Sequence, residues 1–80
     1  MKTKLIFSTN TFGIEQWTIL PFIPRINECF NVQDILKPDE IEYIKVSAKN
    51  WSGIHGKIQA VEYRHDDDDF YAEINILCED

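Results

Sequence analysis

The chain has little glycine or proline, few basic residues and no long hydrophobic run, and each shortage removes a class of protein. Its 80 residues include 3 Gly and 3 Pro, which excludes collagen-like repeats and low-complexity linkers. Lys and Arg number 8 against 14 Asp and Glu, a net charge of −6. The cations Lys2, Lys4, Arg25, Lys37, Lys45, Lys49, Lys57 and Arg64 are scattered. A protein that binds nucleic acid by releasing phosphate counterions needs them gathered into a stripe, so no nucleic acid is expected as a partner. The acidic excess reads as a solubility device. Lys2 and Lys4 precede an apolar run, but Leu5-Ile6-Phe7 is far short of the ~7–15 residues of a secretory core or the ~20 of a membrane span. No membrane partner and a cytoplasmic location are therefore expected. Cys29 and Cys78 belong to no CxxC and have no His at zinc spacing, so two free thiols are expected.

What remains is a globular composition, 44% hydrophobic, 12% aromatic and 28% charged, of a length that suits one domain spanning residues 1–80. Thr3 to Phe7 and Glu15 to Phe22 read as a hairpin, joined by polar residues and Phe12-Gly13. The second strand carries Trp17 and Ile19 on one face and Leu20 and Phe22 on the other, which places it inside the fold, covered on both sides. Pro24 suits position i+1 of a turn, and Asn27 tolerates positive φ. Phe30 and Val32 then share a face of a short third strand.

From Pro38 to Asn50 the period changes. Ile41, Ile44, Ala48 and Trp51 form one stripe at helical spacing, with Pro38 at the first position, acids in the first turn and Lys45 and Lys49 toward the end. Lys37 is a poor N-cap, and Ser52-Gly53 ends the element. Tyr43 and Val46 fall opposite the stripe and mark a candidate contact surface.

The last third is a second hairpin whose register follows from parity. Phe70, Ala72, Ile74, Ile76 and Cys78 alternate on one face, and an even loop across Asp66–Asp69 pairs them with His65, Tyr63 and Val61. Ile58 is out of phase with Val61, which calls for a bulge near Gln59-Ala60. In this register Cys78 points inward and Cys29 away from the core. On the outward face Arg64 lies opposite Tyr71, as a cation–π pair, and Glu62 opposite Glu73.

Chemistry is thinly represented. Asp66-Asp67-Asp68-Asp69 has the carboxylate spacing that opens a calcium loop but not its glycine or its terminal Glu, so it reads first as a solvated turn. His55 and His65 match no metal spacing, and no GxSxG, phosphate-cradling glycine loop or HExxH occurs. No metal, cofactor or catalytic residue is assigned, and the chain does not read as an enzyme.

Pro24-Arg25-Ile26-Asn27-Glu28 with Phe30 and Val32, followed by Gly56-Lys57-Ile58-Gln59-Ala60-Val61-Glu62-Tyr63, resembles the "PRxGE…V" and "GxVxxVxY" pattern of short uncharacterised bacterial proteins, some associated with phage or mobile elements. Asn27 stands where that pattern prefers glycine. The resemblance implies a small SH3-like barrel and brings no function with it.

The expected architecture is α+β, strand order β-β-β-α-β-β, with a five-stranded, strongly bent antiparallel sheet or a partly open SH3-like barrel. The expected function is a non-catalytic protein-interaction module, monomeric or homodimeric. Arg25, Trp51, Arg64 and Tyr71 are its candidate contacts along one shallow groove, and Tyr43 and Val46 form a further contact pair. The alternative is a regulatory domain that binds a small ligand or a cation at the acidic hairpin tip.

Overall fold

The computed structural model describes residues 2–11, 13–67 and 69–79. Five strands and one helix follow in the order β1 (Lys2–Ser8), β2 (Gly13–Ile19), β3 (Cys29–Asn31), α1 (Pro38–Ser47), β4 (His55–Asp66) and β5 (Asp69–Leu77). The strands form one curled half-barrel in the order β2-β1-β5-β4-β3. The sheet is mixed and not antiparallel as expected, because β1 runs parallel to β5, Leu5 beside Ile74 and Phe7 beside Ile76. Parallel neighbours need a long crossover. Everything from β2 to β4 supplies it, so the first and last strands lie side by side in the middle of the sheet.

The inner face is built by alternation. Thr3, Leu5 and Phe7 of β1 and Ala72, Ile74 and Ile76 of β5 are buried, while Lys4, Ile6, Glu73 and Asn75 alternate outward. On β4 the pairing shifts between Ile58 and Ala60, so Gln59 is the extra residue that brings both Ile58 and Val61 to the inner face. Beyond it the expected register holds, Val61 against Ile74, Tyr63 against Ala72 and His65 against Phe70. Gly56 is required by close approach: a Cβ there would lie 2.4 Å from Ile76 Cγ2 and 3.0 Å from Val32 Cγ1.

α1 covers this face through the expected stripe. Ile44 is fully buried, Ile41 and Ala48 pack at its sides, and Trp51 joins the core beyond the helix. The helix stops at Ser47, earlier than Asn50, and Ala48 donates its N–H to Ile44 O. Gly53, at φ +82°, serves a separate turn before β4. At the other end Lys37 supplies no side-chain cap; its own N–H donates to Glu40 Oε1 at 3.0 Å, and Glu40 Oε2 accepts from Gln16 Nε2 at 2.8 Å, tying α1 to β2.

Two local expectations shift. Val32 leaves the third strand and opens a 3-10 turn over Val32–Asp34, because the Asn31 side chain accepts from the Gln33 N–H at 3.0 Å. The turn before β3 spans Arg25 to Glu28, with Glu28 N–H donating to Arg25 O. Asn27 takes its positive-φ position at 75°, and Pro24 precedes the turn instead of sitting at i+1. Asn27 N–H donates to Ile58 O and Ile58 N–H to Glu28 O, which seats this turn on β4.

β2 is corrected most. It lies at the sheet edge and ends at Ile19. Its inward positions are Ile14, Gln16 and Thr18, while Trp17 and Ile19 point to solvent, and Phe22 lies exposed in the loop beyond.

Candidate interaction surface

The outer face of the sheet gathers charge and aromatic groups from four strands. Register sets Trp17 of β2 beside Lys4 of β1, Lys4 beside Glu73 of β5, and Glu73 beside Glu62 of β4. Lys4 Nζ lies 3.4 Å from Glu15 and 3.6 Å from Glu73, and Arg64 Nη1 lies 2.7 Å from Glu62 and 3.8 Å from Glu73. The result is a chain of alternating sign, Glu15, Lys4, Glu73, Arg64, Glu62, from β2 to β4. Pairs this exposed add little stability each; their effect is to hold the side chains in place.

Partial desolvation pulls the Lys4 ammonium down, but the hydrogen bond and charge of Glu15 and the charge of Glu73 outweigh it, and its pKa lies above the usual lysine value. Glu62, then Glu73, raise that of Arg64. Both cations stay charged throughout the physiological range.

The aromatic part is centred on Trp17, which is 49% exposed. Its indole reaches across β1 to meet Tyr71 edge-on, with ring centroids 5.0 Å apart. Lys2 Nζ sits 4.9 Å and Lys4 Nζ 5.9 Å from the indole centroid. Arg64 lies opposite Tyr71 as expected and interacts with its hydroxyl, but its ion-pair partners are the carboxylates of Glu62 and Glu73, and the cations that lie over the Trp17 ring are Lys2 and Lys4.

The expected contacts therefore separate. Arg64 and Tyr71 share the outer face. Trp51 is 4% exposed, and its Nε1 donates to His55 O at 2.6 Å, so it belongs to the core and lines no groove with them. Arg25 is exposed in the turn before β3, where its backbone N–H donates to the Glu28 carboxylate. Tyr43 and Val46 are exposed on the side of α1 away from Ile44. Sequence reasoning misses Lys2, Lys4 and Trp17; the alternation of Lys2 and Lys4 with Thr3 and Leu5 marks the lysines as outward, but no local signal turns Trp17 out, because Trp17 and Ile19 alternate with Gln16 and Thr18 as an inward face would.

Two other places bear on chemistry. A cleft of about 460 Å³ lies where the end of α1 meets the end of β5, walled by Thr9, Ser47, Asn50, Trp51 and Cys78 among others. Burial pushes the Cys78 thiol up to about 11, so it stays protonated and poorly nucleophilic. At the hairpin tip Asp66 pairs with Asp69 and Asp67 has φ 49°; Asp68, part of the candidate cation site, lies outside the described residues, as does Phe12 of the first hairpin turn. Among the described residues no three His, Cys, Asp or Glu side chains are placed to hold a metal ion, and no helix is long and apolar enough to cross a membrane.

Fold and surface together define a small α+β half-barrel whose outer sheet face carries aromatic groups and charges of alternating sign. No protein-family model, curated protein or solved structure matches the chain.

Proposed function

We propose that the chain is a non-catalytic protein-interaction module on a small barrel of the SH3-like kind, and that it docks a protein partner on the outer face of the sheet. The observation that carries this reading is Trp17, a large half-exposed aromatic held by Tyr71 on one side and two lysines above it. Aromatic and Arg anchors supply most of the energy at interfaces. A side chain already fixed by its neighbours loses less entropy on docking. Tyr43 and Val46, exposed on α1, are the competing surface.

The test compares proteins retained by the immobilised chain and by two folded double variants, Trp17→Ala with Tyr71→Ala and Tyr43→Ala with Val46→Ala. A partner lost only with the first pair supports the sheet face. Loss only with the second moves the contact to α1, and equal retention by all three contradicts both.

A further inference from the structure

The second side of β4 is partnered along only part of its length. β3 pairs with His55, Gly56 and Lys57, and the turn before it bonds Ile58 in both directions. Among the described residues no backbone bond continues this coverage from Ala60 to Asp66. The direction of the free groups follows from the hairpin. Asp66 and Asp69 flank a two-residue loop, and such a closing pair exchanges its hydrogen bonds. Asp66, Arg64 and Glu62 thus turn N–H and C=O toward β5, whereas His65, Tyr63 and Val61 turn theirs to the open edge. Of the devices that blunt a free strand this edge has the bulge at Gln59 and charged side chains but neither proline nor lysine. Toward the hairpin tip the inner side chains are also uncovered, Tyr63 at 62% and Phe70 of the neighbouring β5 at 66% exposed, with the His65 ring 4.6 Å from Phe70.

We propose that this edge is the contact between two copies of the chain, paired antiparallel about a two-fold axis through Tyr63. The bulge at one end and the turn at the other limit the free edge to Ala60–Asp66, whose centre is Tyr63. Centring there pairs Tyr63 with Tyr63 of the second copy and Val61 with His65, so all the outward backbone groups are used. It also sets Glu62 of each copy opposite Arg64 of the other. Centring on Glu62 or on Arg64 would oppose like charges, which is unfavourable. The acidic tips then point past opposite ends of the joint sheet, away from each other. On the inner side the exposed Tyr63 and Phe70 of both copies join into one apolar strip. The contact leaves Trp17 and Tyr71 open and so is compatible with the outer-face docking proposed above, with Arg64 at the border of the two.

The test is the mass of the full chain by sedimentation from micromolar to millimolar concentration, with Glu62→Arg, Arg64→Glu and the double swap. A concentration-dependent dimer is expected. Each single swap weakens it about tenfold by opposing like charges twice, and the double swap restores it. Glu62→Arg leaves Glu73 as partner to Arg64, so it tests the contact even where Arg64→Glu disturbs the fold. In the same samples the amides of Val61, Tyr63 and His65 should exchange more slowly as concentration rises, while those of Glu62 and Arg64 are slow throughout. A monomer at every concentration overturns the proposal and leaves the edge to an extended segment of another protein. A dimer indifferent to the single swaps, or one that leaves the three edge amides unprotected, overturns it as well.

Discussion

Ile44 and Tyr43 are adjacent in sequence, yet one is fully buried and the other points to solvent. Ile44→Ala should destabilise the domain by about 2–4 kcal/mol, because the lost methyl groups leave a cavity that the sheet cannot refill. Tyr43→Ala should change stability by under about 1 kcal/mol. Urea denaturation with equal m-values compares them, and the reverse order would mean that the helix is rotated. The cysteines divide similarly. Cys29 is exposed and Cys78 buried, so alkylation should label Cys29 first. Because burial raises Cys78 from 9.0 to about 11, the folded state holds its proton longer than the unfolded chain. The corresponding stability is complete below pH 9 and is lost as pH rises through about 11. Cys78→Ala should flatten the alkaline limb of a stability profile across that window.

Among the elements, the second hairpin was fully legible in the sequence. Side-chain alternation has period 2, so Phe70 to Cys78 on one face and an even loop leave one register, and the bulge is required by the phase of Ile58 against Val61. The helix stripe was legible because Ile41, Ile44 and Ala48 repeat at helical spacing; its end was not, since Lys49 and Asn50 are as compatible with a turn as with a helix. β2 departs from the sequence expectation for a physical reason. Its apolar Trp17 and Ile19 face water while Gln16 and Thr18 face inward, so hydrophobicity there reports the outer surface and not the core. The direction of β1 relative to β5 was invisible, because alternation is the same in parallel and antiparallel pairs. On β4, Gly56→Ala should destabilise by about 1–3 kcal/mol, since the added methyl meets Ile76 and Val32 in a filled core. A thermal or urea midpoint unchanged by this substitution would show that β4 lies farther from Val32 than described.

For the whole molecule, the consequence of this topology is that one layer of core separates two unlike surfaces. α1 closes the inner face around Ile44, Trp51 and Ile74, while the outer face is left to the Trp17–Tyr71 contact and the ion pairs beside it. The candidate site was half legible: Arg64 and Tyr71 follow from the hairpin register, but the lysines and Trp17 depend on which strand lies beside β5, a long-range fact. The functional reading rests on Trp17 being an assembled, solvent-facing anchor and Trp51 a core residue. The two indole N–H protons report this directly by NMR. The expected result is a Trp51 indole proton protected from exchange by its bond to His55 O, and a fast-exchanging Trp17 indole proton whose ring shows cross-peaks to Tyr71 across β1. A protected Trp17 with cross-peaks to Ile41 or Ile44 would place β2 inside the fold and contradict the outer-face surface.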